Sequence, residues 1–298
     1  MKTLETSTSI SFKNILFLMD FTDASDAARA YAMTFARHYN ARLFPTYVQM
    51  PGAGTYVTAY AFDYAQKILE GNRDIVTQVF KDSGLDCQPL VEEGLVEEVA
   101  PRLIQEHGID LVVMGTHGRS GVRKLVLGST AETIFRTVNC PVLTVGPHVA
   151  EHQNWEPDRG PAIKSIVLAT DLSPDSEYAV SYALSFAHES HCKITLLHVV
   201  SEALQHHADH ARLLAFMQSE LKRLVPSESQ TWCEPRFRVE EGDPGEQILK
   251  VAREEDAGLL VLGLPKNKQF SARFRSGVAY SVISHARCPV LTVRDARV

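Results

Sequence analysis

A hexapeptide occurs twice in this chain. Cys140-Pro-Val-Leu-Thr-Val145 returns as Cys288-Pro-Val-Leu-Thr-Val293, 148 residues later, and Val91-Glu-Glu-Gly94 returns as Val239-Glu-Glu-Gly242 at the same interval. Near the start of each half, residues 15–25 (ILFLMDFTDAS) parallel residues 166–176 (IVLATDLSPDS), shifted by 151. Matches in one order at nearly constant spacing mark an internal duplication, which must fold as two copies of one unit. A length of 298 residues fits, at a prior of about 150 residues per domain. Residues 146–164 (GPHVAEHQNWEPDRGPAIK) carry three prolines and no hydrophobic period, and read as a linker. The expected domains are 1–148 and 162–298.

Each half alternates strands with helices. In the first, residues 15–20 form an apolar run ending in an acid, the pattern of a strand buried on both faces. Ser25 is placed to cap the next helix, whose Ala28, Tyr31, Ala32 and Phe35 recur at helical spacing. Further strands are predicted at 43–48, 88–92, 111–114 and 141–145, with helices near 60–81, 96–107 and 130–137. The second half predicts strands at 166–171, 193–199, 236–240, 259–262 and 289–293. This alternation demands a parallel sheet with right-handed crossovers, so the fold class is α/β, twice. In such sheets ligands bind beyond the carboxyl ends of the strands, where the strand order switches. The residues to inspect are those after the first and fourth strands.

The bulk numbers exclude several classes. Apolar residues at 45% and charged residues at 22% are ordinary for a soluble globular protein. A formal charge of −6 argues against nonspecific nucleic-acid binding. No run of 18 apolar residues is present to cross a membrane. Residues 1–11 lack the basic and apolar regions of a signal peptide. The five cysteines are odd in number, scattered, and without a C-x-x-C pair, which predicts reduced thiols in the cytoplasm.

The chemistry concentrates after the fourth strand, in residues 115–130 (GTHGRSGVRKLVLGST), a G-x2-G-x9-G-S pattern. Gly115 and Gly118 let the backbone turn and approach a ligand closely. Gly128-Ser129-Thr130 opens a helix, where unpaired N–H groups and the positive dipole end attract an anion. The Ser129 and Thr130 hydroxyls add donors, and Arg119, Arg123 and Lys124 are candidate counter-charges. His117 lies inside the loop. The plainer readings are a surface turn, solvated cations and an exposed histidine.

This loop resembles that of the ATP-binding members of the universal stress protein family, and the likeness extends over both halves. The resemblance implies a flavodoxin-like (adenine nucleotide alpha-hydrolase-like) five-stranded parallel sheet in each half. It implies pairing through the last strand, as an intrachain pseudo-dimer or a homodimer. It also implies ATP, with or without Mg, as the bound cofactor. On that likeness Asp20 accepts from the adenine edge, and Val48 offers backbone groups to the base. Met114 and Gly115 line the base and ribose, and Gly118, Gly128, Ser129 and Thr130 hold the phosphates. Otherwise Asp20 caps a turn, and Val48 and Met114 are core residues.

The second half departs from the pattern. Aligning Gly263 with Gly115 puts Lys266 at the position of Gly118, and Ser276-Gly277 at that of Gly128-Ser129. Asp171 and Val199 still match on the base side. Weak or absent nucleotide binding is expected there, although Lys266, Lys268, Arg273 and Arg275 make the loop cationic. His188, His191, His198, His206, His207 and His210 gather in this half. His206 and His210, four apart on an expected helix, could share a transition-metal ion; exposed helix positions are the plainer reading.

No P-loop, G-x-G-x-x-G, H-E-x-x-H, kinase or G-x-S-x-G motif is present. The leading expectation is a regulatory ATP-binding protein without catalytic residues. The alternatives are a slow ATPase or a nucleotide-independent scaffold.

Overall fold

The computed structural model describes residues 10–49, 59–116, 127–146, 148–149, 163–202, 209–227, 229, 235–265 and 277–294. The chain separates into two compact units, one within Phe12–Pro161 and the other within Ala162–Val298 joined by Met1–Ser11. Among the described residues, no helix is long and apolar enough to cross a membrane.

The first unit runs β1 (Asn14–Met19), α1 (Asp23–Tyr39), β2 (Arg42–Gln49), α2 (Ala59–Phe80), β3 (Leu90–Glu93), α3 (Val96–His107), β4 (Leu111–Gly115), α4 (Ser129–Thr137) and β5 (Val142–Val145). Its strands are parallel in the order β3-β2-β1-β4-β5. The five-stranded parallel sheet flanked by helices is as expected. The strand order differs from the 2-1-3-4-5 of flavodoxin. Here the chain steps outward twice from β1, then crosses back to lay β4 on the far side of it. The switch point therefore falls between β1 and β4. Central β1 is sealed on both faces, with Ile15, Leu16 and Phe17 fully buried, which explains its uninterrupted apolar run.

Two local devices shift the predicted boundaries. Thr22, not Ser25, caps α1: its backbone is extended (φ −96°, ψ 163°) and its Oγ1 accepts from the Ser25 N–H at 3.3 Å. Asp23 and Asp26 then occupy the first turn, where the dipole favours carboxylates. β3 begins at Leu90 rather than Gln88. The register Thr46↔Leu90 sets Pro45 opposite Pro89, and neither residue has an N–H to donate to a ladder.

The second unit repeats the plan as β6 (Ser165–Ala169), α5 (Pro174–Ser190), β7 (Lys193–Val200), α6 (His210–Arg223), β8 (Arg236–Glu241), α7 (Pro244–Glu254), β9 (Leu259–Leu264), α8 (Val278–His285) and β10 (Val290–Arg294). Its strand order is β8-β7-β6-β9-β10, again parallel. The duplicated Val-Glu-Glu-Gly now has a physical cause. Gly94 and Gly242 sit at φ 145° and 133°, backbone that an L side chain rarely adopts, so each copy keeps glycine after its third strand. Along β8, Arg238 is ringed by Glu240 (2.6 Å), Glu254 (2.8 Å) and Glu255 (3.4 Å).

Candidate functional site

A cavity of about 500 Å³ opens in the first unit where β1 and β4 part. It falls within the range of about 300–1,000 Å³ usual for small-molecule sites. Asp20 follows β1 directly, Val48 stands near the end of β2, and Met114 and Gly115 end β4; all four line the cavity. Gly128, Ser129 and Thr130, at the start of α4, line it as well. Seven predicted residues from four separate stretches of chain thus share one hollow. His117, Gly118 and Arg119 lie outside the described residues, as do Arg123 and Lys124.

The turn after β1 aims Asp20. Its Oδ1 accepts from the Thr22 N–H at 3.1 Å and the Thr22 hydroxyl at 2.6 Å, while its own N–H donates to the Ser25 hydroxyl at 3.3 Å. Phe21 between them adopts φ 60°, an uncommon left-handed conformation for an aromatic residue. Its ring lies 5.1 Å from that of Tyr47, another lining residue. The second unit reproduces the turn: Asp171 Oδ1 accepts from the Ser173 N–H at 3.0 Å and hydroxyl at 2.6 Å, with Leu172 at φ 62°.

At the helix side, Thr116 closes the ends of the loop. Its N–H donates to the Val145 carbonyl at 3.0 Å, and its carbonyl accepts from the Gly128 N–H at 2.9 Å. Gly128 therefore spends its own amide on the protein. The N–H groups of the first turn beyond it have no side-chain cap, and Ser129 and Thr130 are exposed. The helix start thus brings donors to the cavity, and Asp20 brings an acceptor.

Gly115 lines the cavity and has a second, steric role that its motif does not announce. A Cβ there would meet the carbonyl carbon of Ala24 at 2.9 Å, so the missing side chain makes room for the start of α1. Sequence reasoning also missed Tyr47, Gln49 and Thr116. Gln49 lines the cavity with its Oε1 accepting from Asn72 Nδ2 at 2.9 Å. Asn72 belongs to α2, so nothing in local spacing announces this pair. Thr116 carried a signal: a polar residue at a strand end, next to the motif glycine, that proves to be buried.

The second unit has a smaller cavity of about 260 Å³, lined by Asp171, Val199, Leu262 and Gly263 among others. Lys266, Lys268, Arg273 and Arg275 lie outside the described residues. The described histidines occupy separate positions. His188 ends α5, His191 is its left-handed C-cap, and His198 Nδ1 lies 2.9 Å from the Thr170 carbonyl. His210 Nε2 pairs with Glu241 at 3.1 Å. His206 and His207 lie outside the described residues. Among the described residues, no three His, Cys, Asp or Glu side chains form a metal-sized group.

Comparison with known proteins gives a consistent answer. The family model described as universal stress protein family matches residues 11–146 and again 162–294. A universal stress protein of Methanocaldococcus jannaschii is 22% identical over 156 residues, covering 46% of this chain and 96% of that protein. A putative universal stress protein of Staphylococcus aureus is 29% identical over 147 residues, covering 46% and 85%. Among solved structures, a universal stress protein from Archaeoglobus fulgidus superposes with a TM-score of 0.70 at 18% identity, covering 96% of this chain and 98% of that one. A putative universal stress protein from Pseudomonas aeruginosa gives 0.61 at 15% identity, covering 95% and 93%. The likeness to these structures spans both units, and the family model matches each of them. The chain belongs to the universal stress protein family, in tandem form.

Proposed function

We propose that this tandem universal stress protein binds ATP, with Mg as its counter-ion, in the cavity of the first unit, and acts through occupancy rather than turnover. The observation that carries this reading is the polarity of that cavity. Its lining includes both a carboxylate fixed by Thr22 and an uncapped helix start bearing Ser129 and Thr130. An adenine ring presents N–H donors to the first, and a polyphosphate presents anionic oxygens to the second.

In this arrangement Asp20 accepts from the adenine edge, and the backbone near Val48 meets the base. Met114 and Gly115 flank the base and ribose. The phosphates lie against the amides and hydroxyls of Ser129 and Thr130, while Gly128 permits their close approach. His117, Gly118 and Arg119 would complete the enclosure. Asp20 is the one carboxylate among the described lining residues, which include no histidine or lysine, so the described lining offers no general base to activate water near the phosphates. Turnover is therefore expected to be slow. Cys87, Cys140, Cys192 and Cys288 are free thiols, which supports a cytoplasmic location.

Native mass spectrometry of the purified chain tests the proposal. An adduct with the mass of ATP, lost in Asp20→Asn, is the expected result. An adduct indifferent to that substitution would remove the cavity from the account. Steady-state phosphate release by the wild type, abolished by the same substitution, would move the reading to a slow ATPase.

A further inference from the structure

The second cavity is not a damaged copy of the first so much as one with a different chemical lining. Around the first, Thr116, Ser129 and Thr130 carry hydroxyls; the aligned positions are Leu264, Gly277 and Val278. Gln49, whose amide lines the first cavity, is replaced by the buried Val200. The helix start has also retreated: Gly277 is the N-cap of α8, whereas the residue aligned with it, Ser129, is already inside α4. Among the described residues, the hydroxyls that line the phosphate side of the first cavity have no counterpart in the second.

The base side, by contrast, is intact. Thr170 and Ser176 are spent on each other and on the turn: their hydroxyls lie 2.8 Å apart, Leu172 N–H donates to Thr170 at 3.0 Å, and Ser176 donates to the Ser173 carbonyl at 2.9 Å. That leaves Asp171. Both of its hydrogen bonds from Ser173 end on Oδ1. Burial pushes this carboxyl up, but the bonds from Ser173 and Ser176 outweigh it and hold the group below its ordinary value. At neutral pH it is an ionised acceptor. The rest of the lining is apolar, including Leu197, Val199, Ile248, Leu262 and Val278, and the described lining residues include no cation.

An anion entering this cavity would meet a carboxylate and, among the described residues, lose the two hydroxyl partners that Ser129 and Thr130 offer in the first. A neutral planar ring suits it better, burying its faces against the aliphatic side chains and donating an in-plane N–H to Asp171. A volume of about 260 Å³, half that of the first cavity, fits a ring with at most a sugar. We propose that the second unit carries a separate binding site for an uncharged nucleobase or nucleoside, selective against the corresponding nucleotide. The two units would then sense chemically related but differently charged molecules.

The proposal concerns a cavity separate from that of the ATP reading, and its test keeps the two apart. Full-length Asp20→Ala protein is titrated calorimetrically with adenosine, guanosine and uridine, each against its own triphosphate. One nucleoside is expected to bind once per chain, about tenfold or more tighter than its triphosphate. Asp171→Asn should weaken it about tenfold, the value of one charge-assisted hydrogen bond. Val199→Tyr, which fills the cavity without altering Asp171, should abolish it, with circular dichroism confirming the fold of both variants. Absence of nucleoside binding up to about 1 mM, a floor of roughly 4 kcal/mol, would overturn the proposal. So would triphosphate binding that Val199→Tyr removes, or nucleoside binding indifferent to both substitutions. Binding that persists in Val199→Tyr belongs to the first cavity and counts against the second.

Discussion

Gly115 and Ala24 are packed backbone to backbone. A Cβ on Gly115 would stand 2.9 Å from the Ala24 carbonyl carbon, closer than real Cβ atoms come, and 3.0 Å from its oxygen. The end of β4 is thereby locked against the start of α1, the helix whose cap, Thr22, also holds Asp20. The second unit repeats the lock more tightly, with Gly263 facing the Cα of Ser176 at 2.6 Å. Gly115→Ala is expected to cost about 1–3 kcal/mol by forcing this contact apart. Denaturant unfolding followed by circular dichroism would measure it, and Gly263→Ala should cost at least as much. A neutral Gly115→Ala would return the glycine to the purely ligand-facing role that its motif implies.

Thr22 and Ser173 do unequal work despite matching positions. Both hold the preceding aspartate, but only Thr22 also accepts from a helix N–H, that of Ser25 at 3.3 Å. The Ser173 side chain makes no cap bond. Thr22→Ala should therefore destabilise its unit by about 1 kcal/mol more than Ser173→Ala does, the usual worth of an N-cap. It should also weaken ATP binding, because the Asp20 carboxylate loses the hydroxyl donor at 2.6 Å and keeps only the backbone N–H of residue 22 at 3.1 Å. Equal unfolding midpoints for the two variants would contradict this.

The duplicated Cys-Pro thiols are predicted to be silent. Burial pushes both Cys140 and Cys288 up to about 12 from an ordinary 9.0. Cys288 is the more fully covered and the cleaner probe. The folded state favours the neutral thiol, so this contribution is complete below pH 9 and is lost as pH climbs towards 12. Between those limits stability should fall by about 1.4 kcal/mol per pH unit for a fully shielded thiol. Thiol-reagent titration at pH 8 should leave Cys288 unlabelled until denaturant is added. Prompt labelling of the native protein would contradict its burial.

The carboxylates around Arg238 give an ionic-strength signature. Arg238→Met leaves Glu240, Glu254 and Glu255 without their shared cation, and about 1–3 kcal/mol should be lost because the site is only half buried. Raising salt should narrow the gap from wild type, since the remaining repulsion is screened. A gap that does not change with salt would mean that the arginine acts by packing alone.

These positions also mark how far the sequence could be read. The α3 span of 96–107 was legible because its apolar positions, glycine C-cap and acidic first turn all agree. The late start of β3 was not, because Pro45 faces Pro89 only once the strands pair. Asp20, Val48 and the Gly128–Thr130 helix start were legible as a set through the glycine motif and the family resemblance, and they line one cavity. The Gln49–Asn72 bond and the Gly115–Ala24 contact join elements distant in sequence, and no local pattern encodes them. The strand order itself was hidden too, since alternation of strands and helices fixes parallel pairing but not which strand lies beside which.

Calorimetric titration of nucleotide-free protein with Mg-ATP tests the central claim most directly. Saturation at one ATP per chain, weakened about tenfold or more when Ser129 and Thr130 are both replaced by valine, is the predicted result. No binding, two equivalents per chain, or an affinity unmoved by the valine pair would contradict it.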